Sequence, residues 1–271
     1  KFKKMARQKG ALKYVGTLGD VRHFKIKGQD GYFAGMVGGP TGDQVKTASE
    51  FERTRENMNE FGGCAKAGKS VRTALSGLIR TMADSQVTGR LTSVMKKINL
   101  EDGTEARGYR KIEITSQRQY LEGFDFDKNL SLDSVVNVDF TTTHLAARNS
   151  ADLVLPAFNP MELLAIPSGA THCRFINAIA VISDFQYNVT TDSYEPIDAA
   201  LNELSKVAYS AYIPVDAAFA GSTVTAALAG APAMTADVSV LQVVGIEFSQ
   251  KVGADYYAFA SGNCMQIVEI F

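Results

Sequence analysis

The chain has 271 residues, 45% of them hydrophobic and 21% charged, a composition that fits a folded globular protein and excludes a disordered or collagen-like one. Its longest apolar runs, such as residues 178–182, fall far short of the roughly 20 residues a membrane-spanning helix requires, so no helix is expected to cross a bilayer. The net charge of −1 conceals a division: residues 1–100 carry 19 Lys and Arg against 8 Asp and Glu, whereas residues 101–271 carry 9 against 21.

The two parts therefore differ in sign, at +11 and −12, and such asymmetry bears on partners rather than on fold. The basic part could meet nucleic acid, an anionic surface, or the acidic part of another copy of the chain. The last needs no foreign molecule. A contact between two unlike surfaces is heterologous, and it propagates into a ring or a filament according to whether its rotation closes. Two solvated faces that merely differ in charge are the plain alternative.

In chain order, the first ten residues hold Lys1, Lys3, Lys4, Arg7 and Lys9. They are followed by Ala11, Leu12, Lys13 and Tyr14 rather than by an apolar stretch and a small-residue cleavage site, so a Sec-type signal is not expected. That reading implies a cytoplasmic origin, with export as an extracellular assembly left open. Residues 12–15 and 21–27 read as strands separated by Gly16-Thr17-Leu18-Gly19-Asp20, a hairpin. Here Tyr14, Phe24, Tyr32 and Phe33 interleave with Lys13, Arg22, Lys25 and Lys27, the mixture of stacking and phosphate-contacting groups that single-strand binders use, and equally the make-up of a hairpin core. Gly31, Gly35, Gly38, Gly39, Pro40 and Gly42 predict a loop or extended arm.

Thr47-Ala48-Ser49-Glu50 fits a capping box and predicts a helix over residues 48–61, interrupted by Gly62-Gly63. Val71, Leu75, Leu78, Ile79 and Met82 recur on one face of a second helix, with Lys66, Lys69, Arg72 and Arg80 on a face about 140° away. Val87, Leu91, Val94, Met95 and Ile98 predict a third, capped by Asp84 or Ser85. From Gly108 the period becomes that of strands, at residues 109–115, 134–141, 151–155, 175–185, 207–215, 238–248, 256–260 and 266–271. Short helices are expected near 161–165 and 196–204. The last sixteen residues, 256–271, read as a terminal hairpin around Ser261-Gly262-Asn263.

Motifs for catalysis are weak. Gly63-Cys-Ala-Lys-Ala-Gly68-Lys69-Ser70 satisfies GxxxxGK[ST], but the segment before it is an amphipathic helix rather than a buried strand, so the phosphate-cradling loop lacks its context. A small-residue helix start explains it better. Cys64, Cys173 and Cys264 match neither a disulfide framework nor a metal pattern and read as buried thiols, and His23, His144 and His172 are equally scattered. Asp125-Phe126-Asp127 reads as a solvated strand end, with a weak Ca²⁺ site as the alternative. No cofactor and no catalytic residue is assigned.

Several segments together resemble an uncharacterised family of Bacteroidota proteins, a domain of unknown function. They are Gly10-Ala-Leu-Lys-Tyr-Val-Gly16, Arg53-Thr-Arg-Glu-Asn57 leading into Phe61-Gly-Gly63, Leu155-Pro-Ala-Phe-Asn-Pro-Met-Glu162 with Pro167-Ser-Gly169, and Val244-Gly-Ile-Glu247. The resemblance spans nearly the whole chain and implies a bacterial origin and this layout, but no activity.

The expectation is thus an α+β chain: a basic arm and hairpin at 1–44, three helices at 45–104, and an antiparallel immunoglobulin-like β-sandwich at 105–271. The expected role is a non-enzymatic structural subunit that self-assembles head to tail into a homo-oligomer or filament. Lys1, Lys3, Lys4, Arg7, Lys9, Lys13, Arg22, Lys25, Lys27, Lys66, Lys69, Arg72 and Arg80 are its partner-binding residues. Nucleic-acid binding or packaging through the same residues is the alternative, and a ligand- or carbohydrate-binding sandwich is the third reading.

Overall fold

The computed structural model describes residues 6–36 and 38–271, which divide into two units, Lys1–Arg55 and Glu56–Phe271. In the first unit four short strands, β1 (Ala6–Arg7), β2 (Gly16–Leu18), β3 (Val21–Phe24) and β4 (Phe33–Met36), form an antiparallel sheet in the order β1-β4-β3-β2. The expected hairpin is present, but its first strand is β2 and not residues 12–15. Leu18 pairs with Val21 across Gly19-Asp20, and Gly19, at φ 56°, supplies the left-handed backbone that a two-residue turn needs. The glycine-rich stretch is not simply an arm, because β4 pairs with both β3 and β1, and Phe33 stacks on Phe24 at 6.2 Å.

Helix α1 (Gly42–Thr47) follows. Its cap is Thr41, whose Oγ1 accepts from Gln44 N at 3.2 Å while Gln44 Oε1 accepts from Thr41 N at 2.8 Å. The capping box predicted at residues 47–50 is therefore displaced: Thr47 closes α1, and Ser49–Phe51 is a 3-10 turn. Helix α2 (Glu52–Ala74) starts in this unit and continues through the next. Arg55 Nη1 donates to the carbonyls of Val45 and Ala48 at 2.9 and 2.8 Å, tying the start of α2 to the end of α1.

Gly62-Gly63 does not interrupt α2. Gly63 is buried in mid-helix, and a β-carbon there would overlap the ring of Tyr194, so the glycine is a packing notch rather than a breaker. At Gly68 an added β-carbon would meet Leu91 Cβ and Thr92 N at 3.5 Å, an ordinary contact, so of the two buried glycines only Gly63 is a notch. Close approach repays the roughly 1 kcal/mol that glycine costs inside a helix. After a break at Leu75 come α3 (Ser76–Met82) and α4 (Val87–Glu101), the latter led in by Asp84, whose Oδ1 accepts from Gln86 N at 2.6 Å.

The rest of the second unit is mostly antiparallel sheet. A 3-10 turn (Arg118–Tyr120) and α5 (Leu132–Val135) precede β5 (Thr141–His144) and β6 (Ser150–Leu155); α6 (Pro160–Leu163) precedes β7 (His172–Ser183). The chain continues as β8 (Phe185–Asn188), β9 (Ser193–Pro196), β10 (Ser205–Tyr209), β11 (Ile213–Pro214) and β12 (Ser222–Ala227). It ends in β13 (Val238–Val252), β14 (Asp255–Ala258) and β15 (Cys264–Ile270). The long central strands β7 and β13 pair over twelve residues, from Val238↔Ser183 to Ser249↔His172. Strands β10 and β11 flank β7, and β14 and β15 flank β13; a second sheet runs β12-β6-β5.

Alternation along β7 builds three layers. Ile176, Ala178, Ala180 and Ile182 face the helices and pack with Val71, Leu75, Leu91 and Met95, while Phe175 packs with Leu153, Leu155 and Val224 of the smaller sheet. Being covered on both faces explains why β7 and β13 read as near-continuous apolar runs. Asn177 and Gln242 interrupt those runs: Asn177 Nδ2 donates to the carbonyls of Ala151 and Val224 at 2.9 and 2.7 Å, and Gln242 Nε2 to Asn177 Oδ1 at 3.0 Å. These bonds tie the two sheets together.

The chain is thus α+β with a sheet-rich C-terminal part, but several local expectations are corrected. Residues 109–115 make only a bridge, Ile112 to Phe185, and residues 134–141 contain the end of α5 and the start of β5. The helix expected near 196–204 is absent: Pro196 ends β9 and turns follow it, and β9 and β12 have no counterpart among the predicted strands. The terminal hairpin is absent: β14 and β15 each pair with β13, because β13 is long enough to take both along one edge.

Candidate functional site

The predicted basic residues separate into two sets. Lys1, Lys3 and Lys4 lie outside the described residues. Arg7, Lys9, Lys13, Arg22, Lys25 and Lys27 are exposed on the first unit, where the interleaving seen in the sequence becomes contact between cations and rings. The Arg7 guanidinium lies 5.8 Å from the Phe33 centroid and bonds to the Asp30 carbonyl. Lys13 and Lys25 lie 6.0 and 5.3 Å from Tyr32, and Arg22 lies 5.9 Å from Phe24. Counted over Lys1–Arg55, 12 Lys and Arg stand against 5 Asp and Glu, and over Glu56–Phe271 16 stand against 24.

The second set is not one helical face. Lys66, Lys69 and Arg72 belong to α2, and Arg80 to α3 beyond the break. Lys66 Nζ donates to the Tyr194 carbonyl at 3.1 Å, and Arg72 is partly buried with Nε lacking a hydrogen-bond partner. Lys69 and Arg80 are exposed.

The phosphate-loop look-alike lies wholly inside α2, so its amides are engaged in the helix and form no cradle. Ser70 Oγ donates to Glu203 Oε1 at 2.8 Å. Beside it lies a buried charge cluster that the sequence did not announce. Glu60, 2% exposed, pairs with Lys96, accepts from Gly108 N at 2.8 Å, and has Arg110 Nη1 at 4.0 Å. Lys96 also donates to Asn99 Oδ1 at 2.8 Å, so both charges are bonded, as burial demands. Burial pushes the thiols of Cys64, Cys173 and Cys264 up to about 12, and all three cysteines are free and buried, as expected.

Asp125 is less solvated than predicted. Its Oδ1 accepts from Leu132 N at 3.0 Å and Gln266 Nε2 at 3.2 Å, and burial raises its carboxyl. Asp127 Oδ1 accepts from Asn129 N at 2.9 Å in a local turn. Among the described residues no group of three or more His, Cys, Asp or Glu could hold a metal ion. No helix among them is long and apolar enough to cross a membrane.

Two tyrosine clusters went unnoticed in the sequence, because their members are far apart in the chain. On the helix-facing side of β7 and β13, beyond the helices' apolar contacts, Arg174 pairs with Glu247 at 2.7 Å and lies 4.1 Å from the Tyr209 centroid. Tyr212 stacks flat on Tyr256 at 3.8 Å, and the His172 ring meets Tyr256 edge-on at 5.1 Å. Burial, then the Lys251 ammonium, lowers His172 from its ordinary range. The second cluster is a chain of rings, Tyr194 to Tyr187 at 5.6 Å and Tyr187 to Tyr109 at 4.8 Å. It runs from the buried notch at Gly63 out to a cleft of about 340 Å³. The hydrogen bond to Asp192 pushes the Tyr187 hydroxyl up to about 12.

No family model matches the chain, and no curated protein matches it.

Proposed function

We propose that the chain is a structural subunit that assembles with copies of itself, the basic first unit of one copy docking on the acidic second unit of the next. The observation that supports this reading is that no described residue of Lys1–Arg55 is buried, although the unit contains a four-stranded sheet. Ordering each residue costs about 1–2 kcal/mol, and a sheet without a buried face has little to offset it. Leu12, Val15, Leu18 and Met36 are 62–86% exposed, and β1 and β2 are open edges to which another strand can add. A partner surface would cover those side chains and edges. Opposite net charge makes another copy's second unit the natural partner, and the sheets of that unit would serve as the rigid body of the assembly.

The test is sedimentation velocity of the full, nucleic-acid-free chain over a concentration series at low and high salt. Species larger than the monomer, reduced by salt and by the combined variant Arg22→Glu, Lys25→Glu and Lys27→Glu, are expected. A monomer at every concentration and low salt refutes the reading. The paired cations and rings of the first unit also favour a second one, single-stranded nucleic acid, whose affinity would fall steeply with salt in a gel shift.

A further inference from the structure

The cleft beside Tyr109 is a built surface on the second unit. Glu105, Ala106, Tyr109 and Lys111 line one side, and Gln186 and Tyr187 of β8 the other. Its aromatic wall is backed in depth. Tyr194 is 2% exposed and donates to the Arg110 carbonyl at 2.8 Å; Tyr187 meets it edge-on, and Tyr109, 47% exposed, meets Tyr187 edge-on. The rings are therefore held before any ligand arrives, which lowers the ordering cost of binding.

The rim carries complementary polar groups. Glu105 and Lys111 are only loosely paired, at 3.9 Å, and Gln186 is exposed. A carboxylate accepts only, an ammonium donates only, and an amide does both. Together they match a ligand whose polar groups are each donor and acceptor, as hydroxyls are. The formal charge of the lining is zero, with Glu105 against Lys111, so nothing selects an anion or a cation.

We propose that this cleft binds a neutral saccharide, a pyranose with its apolar C–H face on the tyrosine rings and its hydroxyls on Glu105, Lys111 and Gln186. A pyranose has an apolar face and a hydroxylated edge, which is the division the cleft presents. The lining residues come from the second unit alone, so sugar binding can be read on the monomer whether or not copies assemble.

The experiment is a protein-observed NMR titration of the full chain with glucose, galactose, mannose and N-acetylglucosamine, with inorganic phosphate and glucose 6-phosphate alongside. At least one neutral sugar is expected to give saturable shifts at residues 105–111 and 186–189, with a dissociation constant on the order of 1–10 mM, typical of so small a ligand. Tyr109→Ala is expected to weaken that binding about fivefold or more, and Tyr209→Ala, in the other tyrosine cluster, to leave it unchanged. Should Tyr109→Ala lower the melting temperature, Gln186→Ala, at an exposed position of β8, provides the same comparison. The proposal is overturned if none of the four sugars saturates, if the cleft variants bind as well as the parent, or if phosphate alone reproduces the shifts.

Discussion

Asp184 offers a quantitative test of how the sheet junction is held. It sits between β7 and β8, 4% exposed, with Oδ1 accepting from Thr115 N at 3.0 Å and Oδ2 from Thr115 Oγ1 at 2.5 Å. Burial raises its carboxyl from 3.8 to about 6, against the opposing pull of those two bonds. A carboxyl that holds its proton more tightly when folded makes the folded state most favourable below pH 3.8. That contribution is lost as pH rises through about 6. That rise corresponds to about 3 kcal/mol. Asp184→Asn removes the titration while keeping an acceptor for Thr115 N, and the Thr115 hydroxyl can turn to accept from the new amide. That figure is already net of the bonds to the carboxylate, so the variant should be up to about 3 kcal/mol more stable than the parent at pH 7.5, an advantage that shrinks towards zero by pH 4, where the folded carboxyl is protonated. Urea unfolding of both proteins across this range gives the difference directly, free of the pH dependence they share. A difference that does not change with pH, or that favours the parent as pH rises, refutes the assignment.

Gly63→Ala should destabilise by about 1–3 kcal/mol, because its methyl overlaps the Tyr194 ring, whereas Gly62→Ala, with open space beside it, should stabilise by up to about 1 kcal/mol; thermal melts of the pair distinguish a packing notch from a helix break. Glu60→Ala strands Lys96 and should cost about 3–5 kcal/mol by urea unfolding, more than Glu60→Gln. All three cysteines should resist a thiol-reactive maleimide in the native protein at pH 7 and react once it is unfolded, as counted by mass spectrometry; rapid native labelling of any of them would contradict the burial that raises their thiols.

Periodicity was a dependable guide where one face of an element meets the core. The spacing of Val71, Leu75, Leu91 and Met95 and the apolar runs of β7 and β13 placed the helical layer and the central strands, because burial itself creates those patterns. The interleaving of cations and aromatic residues in the first unit was legible too: among its described residues Arg7, Lys13, Arg22 and Lys25 are exposed and lie over Phe33, Tyr32 and Phe24. Glycine misled. Gly62-Gly63 reads as a break until Tyr194, 131 positions further along, is seen to occupy the space that Gly63 leaves.

The sequence by itself determined composition, charge division, the long apolar elements and the isolation of each cysteine, all of which depend on residues near one another in the chain. Tertiary structure alone decided what depends on distant partners: the pairing of both β14 and β15 with β13, the burial of Glu60 with Lys96, and the meeting of Tyr109, Tyr187 and Tyr194 at one cleft. Such contacts leave no local period, because their energy comes from burial and pairing that exist only after the sheets and helices have closed on one another.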